Sequence, residues 1–159
     1  MNPPRLPQRL RAVLELVPHD AARIADVGAG HGALAVHLAL RGVSVIATES
    51  QPGPLAELRR NLRSWQAADV VTARGGDGLE AIDDGEVDTV VVAGMGARTV
   101  LRILDRARGR GVRRVVVQSM QRHELVEPWF SANGWQVLRR VDIAERRRTY
   151  PAWLAELPR

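Results

Sequence analysis

The chain has 159 residues, 45% of them hydrophobic, enough for one domain with a substantial core. Its formal net charge is +5, and all 23 basic residues are arginine, a bias that a GC-rich genome accounts for first and that is compatible with a nucleic-acid partner without establishing one. Cysteine is absent, which excludes disulfides, thiol nucleophiles and cysteine metal sites; no metal is expected.

The N-terminal Met1-Asn2-Pro3-Pro4-Arg5 carries no apolar signal segment, and no apolar run approaches the roughly 20 residues of a membrane helix. A cytoplasmic protein without membrane contact is the expectation. In chain order, Leu6 to Val17 places Leu10, Val13, Leu14 and Val17 at helical spacing and stops before Pro18. Arg23 to Val27 reads as a strand running into glycines, Ala33 to Leu40 as a helix, and Val43 to Thr48 as a β-branched strand. Pro54 opens a helix through Trp65, at a tolerated first-turn position. Val70 to Ala73 is a third strand.

Val87 to Ala93 is almost wholly apolar, as expected at the centre of a parallel sheet. Ala97 to Ala107 is a helix, Arg113 to Gln118 a strand, and Arg122 to Asn133 a helix closed by Gly134. Trp135 to Ile143 and Thr149 to Leu157 form a final antiparallel pair, with Pro151 expected at a strand start or an edge. Strands alternating with helices predict an α/β, Rossmann-like fold. Its sheet is mostly parallel with helices on both faces. No linker divides it, so residues 1–159 are read as one domain, with residues 1–20 forming a helix packed on it.

Between the first strand and the next helix lies Asp26-Val27-Gly28-Ala29-Gly30-His31-Gly32-Ala33. Glycines let the backbone turn sharply and approach a ligand closely. The helix start supplies free N–H groups and a positive dipole end. Glu49, followed by Ser50, ends the second strand, where a carboxylate can accept both ribose hydroxyls. The glycines alone are ambiguous: Gly28-x-Gly30-x-x-Ala33 also fits a dinucleotide site, or an empty tight turn.

Two acids favour S-adenosylmethionine (SAM). Asp26 lies inside the first strand, where dinucleotide sites are usually apolar, because a buried carboxylate is costly without partners. There it can reach the glycine-loop amides or the ammonium-bearing amino-acid part of SAM. Gly76-Asp77-Gly78 follows the third strand, and Asp77 can accept from an adenine amine, although turn aspartates beside glycines are common.

After the fourth strand comes Ala93-Gly94-Met95-Gly96-Ala97 rather than the Asp/Asn-Pro-Pro-aromatic tetrad of many amino-directed nucleic-acid methyltransferases. With Pro52-Gly53-Pro54-Leu55, Gly76-Asp77-Gly78-Leu79, Ile103-Leu104, Gln118 and Tyr150, it resembles the bacterial tRNA (adenine(22)-N1)-methyltransferase family. That family carries a Gly-Met-Gly-Gly loop at this place. The resemblance covers roughly residues 6 to 150. It implies a class I SAM-dependent methyltransferase acting on adenine N1 of tRNA in the D-arm.

Three departures stand out. The family's Asp-His after the glycine loop is Gly30-His31 here. Its Gln-Pro-Asn reads Gln118-Ser119-Met120, and its C-terminal helical, coiled-coil-like extension has no counterpart before Arg159.

On this reading Asp26, Gly28, Gly30, His31, Glu49, Ser50, Gly76, Asp77, Gly78 and Ala93 surround the cofactor. Gly94, Met95 and Gly96, with His31, face the target base. Other readings remain: His31 as a solvent-facing loop residue, Met95 as core, Gln118 as a plain strand end, and His37 as structural. Arginines cluster at Arg5, Arg9 and Arg11, between Arg106 and Arg114, and at Arg146-Arg147-Arg148. Such runs are solvated faces or phosphate-binding surfaces. The few aromatic residues do not support a stacking platform for single strands. The competing functions are methylation of a small molecule or another macromolecule, and a non-catalytic SAM- or RNA-binding module.

Overall fold

A computed structural model describes residues 1–159. The first half alternates helix and strand: α1 (Gln8–Leu16), β1 (Arg23–Val27), α2 (Ala33–Ala39), β2 (Ser44–Glu49), α3 (Pro52–Ser64) and β3 (Val71–Gly75). The second half holds β4 (Thr89–Met95), α4 (Ala97–Leu104), β5 (Arg114–Ser119), a 3-10 turn (His123–Leu125), α5 (Val126–Ala132), β6 (Gln136–Glu145) and β7 (Arg148–Glu156). They build one seven-stranded sheet in the order β3-β2-β1-β4-β5-β7-β6. The first five positions are parallel, and β7 pairs antiparallel with both β5 and β6.

Strand alternation sends residues to two separate apolar layers. Ile24, Val91 and Val116 pack with Val13 and Leu16 of α1, Leu34 and Leu38 of α2, and Leu58 and Leu62 of α3. Ala25, Val27, Val90, Val92, Val115 and Val117 pack with Val100 and Leu104 of α4 and Phe130 of α5. The β-branched run Val90-Val91-Val92 is buried on both faces, which explains its nearly continuous apolar character. No helix is long and apolar enough to cross a membrane.

Several boundaries differ from the sequence expectation: α3 starts at Pro52 rather than Pro54, α4 stops at Leu104, and the expected Arg122–Asn133 helix is a 3-10 turn followed by α5. Two further differences have a clear physical reason. β4 runs on to Met95: Met95 pairs with Ser119 across a register shift that bulges out the intervening Gly94. Gly94 has φ +85°, the left-handed conformation that glycine tolerates best. Pro151 is not a strand start but pairs with Asp142 of β6 inside β7, at a local edge. The β5 ladder ends at Gln118↔Ala152, so at Pro151 the strand has a neighbour on one side only. The missing N–H is tolerated because β7 is locally an edge there.

Candidate functional site

The parallel strands bring their C-terminal ends to one side of the sheet. The strand order reverses between β1 and β4, because β1 leads to β2 and β3 on one flank and β4 leads to β5 on the other. Open α/β sheets bind ligands at such a switch point. A cleft of about 230 Å³ lies here, walled by Val27 and Gly28, Glu49 and Ser50, Gly76-Asp77-Gly78, and Ala93-Gly94-Met95. Thr99, Arg102 and Ile103 of α4 close its remaining side.

The glycine loop is tied to β2. The Ala29 N–H donates to the Thr48 carbonyl at 3.0 Å, and the Gly30 N–H donates to Glu49 Oε1 at 2.6 Å. Glu49 also accepts the Gly76 N–H on its main-chain oxygen at 3.0 Å. One residue thus joins the ends of β1 and β3. Gly28 takes φ +67°, and a Cβ there would lie 2.0 Å from the Met95 side-chain methyl. Met95 therefore lies over the turn, packing partly on the core and partly on the cleft.

Asp26 lies beneath the floor, 3% exposed. Its Oδ2 has no hydrogen-bond partner. Burial first, and the nearby Glu49 charge second, push its carboxyl up to about 7. Asp77 stands at the rim, where the Arg102 guanidinium donates to both carboxylate oxygens at 3.1 and 3.3 Å.

On the far side of Gly94 a buried glutamine organises the end of β4. Gln118 Oε1 accepts the Gly94 N–H at 2.9 Å and Arg9 Nη1 at 2.5 Å. Its Nε2 donates to the Ser119 carbonyl at 2.8 Å. Arg9 comes from α1, and its charge is further balanced by Glu145 at 3.6 Å.

Residues 6–152 match the family described as "Methyltransferase domain". The chain belongs to this family. The expected reaction class and cofactor hold with it: this is a SAM-dependent methyltransferase. It is 29% identical over 160 residues to the Bacillus subtilis tRNA (adenine(22)-N(1))-methyltransferase, an alignment covering 98% of this chain and 67% of the relative. The crystal structure of the B. subtilis M1A22 tRNA methyltransferase superimposes with a TM-score of 0.87 at 27% identity, over 97% of this chain and 67% of that one. A Streptococcus pneumoniae candidate tRNA (m1A22) methyltransferase, solved with S-adenosyl-L-methionine, gives 0.89 at 28% identity, over 96% and 73% of the two chains.

In this methyltransferase most of the residues singled out from sequence meet in the one cleft, with four differences. Gly30 contributes its N–H to Glu49 rather than a wall. Asp26 is buried outside the cleft wall, and the glycine-loop amide within its expected reach is taken by Glu49 from the neighbouring strand. Gly96 opens α4 as its N-cap, outside the cleft wall. His31 is turned away, its ring exposed and its Nδ1 2.9 Å from Glu57 Oε1 on α3, so the reading of it as a solvent-facing loop residue fits its position. His37 is structural, its Nε2 2.7 Å from the Pro4 carbonyl oxygen. Sequence reasoning missed Thr99 and Arg102. Only their spacing from Gly96 along a helix already placed after β4 could have pointed to them. It also missed the Arg9–Gln118 contact, which joins residues 109 positions apart and leaves no local signal.

Proposed function

We propose that this methyltransferase modifies N1 of an adenine in tRNA. The observation that carries the proposal is the cleft at the β1/β4 switch point, with Glu49 at one end and the Gly94 bulge at the other. The likeness to tRNA (adenine(22)-N(1))-methyltransferases over 98% of the chain supports the substrate.

The residues present fit SAM. Gly28 brings no side chain of its own between β1 and the cleft, and the Met95 methyl lies where its Cβ would be. Glu49 offers a carboxylate at the end of β2, suited to a ribose diol, while Asp77 offers an acceptor suited to an adenine amine. The unpartnered buried oxygen of Asp26 can accept from the ammonium of the amino-acid part and balances its charge once the carboxyl, pushed up to about 7, ionises. Bound there, SAM supplies an electrophilic sulfonium methyl.

The chain's own task is positioning. Adenine N1 carries a free lone pair, so no strong base is needed, and alignment of nucleophile and methyl supplies the main acceleration. The Gly94 bulge, fixed by Gln118, presents main-chain groups at the sheet edge without a side chain in the way. Met95 covers the glycine turn. An adenine in folded tRNA must be unstacked to reach this edge, at roughly a few kcal/mol.

Two assays test the reading. Calorimetry should show SAM binding and no NAD binding. Incubation with unmodified tRNA and methyl-labelled SAM should then place label in the RNA. SAM binding with label reaching only small molecules, or nothing, would contradict it.

A further inference from the structure

Eight of the 23 arginines hold a carboxylate within ion-pair distance. Arg74, Arg102, Arg110, Arg114 and Arg140 each hold a carboxylate. Among the arginines without a carboxylate, three consecutive ones on the β6–β7 hairpin line a single depression. Arg146, Arg147 and Arg148 are exposed and enter no ion pair or side-chain hydrogen bond. Together with Arg9, Met120, Glu145 and Tyr150 they wall a depression of about 620 Å³. Its single carboxylate, Glu145, is already engaged by Arg9. Three uncompensated guanidinium groups therefore face one concavity. Arg146 also holds φ +56°, a left-handed turn conformation that glycine or asparagine would adopt more readily.

This depression adjoins the cofactor cleft. Gly94, a wall of the cleft, lies against Arg9, a wall of the depression: a Cβ on Gly94 would sit 3.5 Å from Arg9 Nη1. Gln118 binds both residues through the same oxygen. A polyanion seated among the arginines is thus held one residue away from the edge where the target base is presented.

We infer that the depression formed by Arg9, the Arg146-Arg147-Arg148 hairpin and Tyr150 seats the RNA phosphodiester backbone beside the target nucleotide. The inference rests on the tRNA reading above. Guanidinium groups bind phosphate oxygens in pairs. With Tyr150 as the one aromatic wall, the depression grips backbone rather than reading a run of bases. The link through Gln118 makes Arg9 a positioning residue that connects backbone grip to the Gly94 edge.

The test compares the intact protein with a triple variant, Arg146→Gly, Arg147→Ser and Arg148→Ser. Glycine at the first position keeps the left-handed turn. Fluorescence anisotropy of an unmodified tRNA transcript is followed across a range of salt concentrations, with calorimetric SAM binding as the check on folding. The variant should lose about tenfold or more in tRNA affinity. Its slope of log affinity against log salt should fall by about 2, from three lost phosphate contacts at roughly 0.7–0.9 each. Lysine at the same three positions should restore the slope.

A triple variant with unchanged slope and affinity overturns the inference, and tRNA methylation by the intact protein would leave the tRNA reading standing. Arginine-dependent tRNA binding without methyl transfer overturns the tRNA-methylation reading and supports the backbone seat. No tRNA binding by the intact protein overturns both.

Discussion

Asp26 and Glu49 form the most informative pair at the scale of single residues. In the unfolded chain an aspartate ionises near pH 4, whereas burial and the Glu49 charge hold Asp26 protonated up to about 7. Below about pH 4 both states are neutral, and the group costs nothing. Between about 4 and 7 the unfolded chain releases the proton and the folded chain keeps it, so stability falls as pH rises. Above about 7 the cost is fully present. Asp26→Asn should therefore be more stable than the parent at alkaline pH, by on the order of a few kcal/mol, with the gap closing toward pH 4. Chemical denaturation at several pH values measures this.

The same substitution should weaken SAM binding and abolish the rise in SAM affinity expected as Asp26 ionises through about pH 7. Calorimetry reads both. Equal SAM affinity in the variant would remove Asp26 from the binding reading. For Glu49→Ala the expected loss is roughly 1.5–3 kcal/mol of SAM affinity, tenfold or more, since a charged acceptor of hydrogen bonds disappears.

At the scale of elements, the ends of the parallel strands do most of the positioning. The segment from Gly76 to Glu86 is closed by Arg74, which donates to both Glu86 oxygens at 2.8 and 2.6 Å and to the Ala81 carbonyl at 2.9 Å. The Arg74 guanidinium holds Glu86 down to about 2, well below the usual carboxylate range. The stabilisation is present above about pH 4.5 and is lost as pH falls toward 2. Glu86→Gln should cost roughly 1–2 kcal/mol near neutral pH and flatten the acid limb of the stability profile, which thermal denaturation against pH records. Because the Asp77 turn lies inside this closed segment, the variant should also bind SAM less tightly.

Gln118→Ala should leave the Gly94 N–H and Arg9 without their shared acceptor. Methyl transfer to tRNA should slow at saturating SAM, about tenfold or more if one positioning hydrogen bond is worth over 1.4 kcal/mol, while SAM affinity holds. Steady-state kinetics with separate kcat and KM for SAM checks that separation.

The regular elements were legible because period-2 and period-3.6 patterns are local. Glycine, proline and acid positions then marked the strand ends. The Gly94 bulge was not, since it depends on Met95 keeping a partner on β5. An edge was among the places expected for Pro151, but that the edge is local, inside a strand paired on both sides further on, was not legible, because a neighbour's ladder ending beside it leaves no trace in its own segment.

For the whole molecule, the topology gathered Gly28, Glu49, Asp77 and Gly94 from four strands into one cleft, as a Rossmann-like order requires. Position in the fold was thus readable from sequence, but side-chain direction was not. His31 follows the glycine loop in sequence yet faces Glu57 on the outer surface. The net charge of +5 was equally uninformative as a total. What distinguishes one surface from another is where arginines without a carboxylate share one concavity, and that is a property of the fold.

The measurement that bears most directly on the proposed function is mapping the methyl group on product RNA. Unmodified tRNA is incubated with the protein and SAM, digested to nucleosides and resolved by mass spectrometry, with reverse-transcription stops locating the site. The proposed function predicts 1-methyladenosine at one D-arm position, absent without SAM and strongly reduced by Glu49→Ala. Methylation at the exocyclic amine, on another base, or on no RNA at all despite tight SAM binding would contradict it.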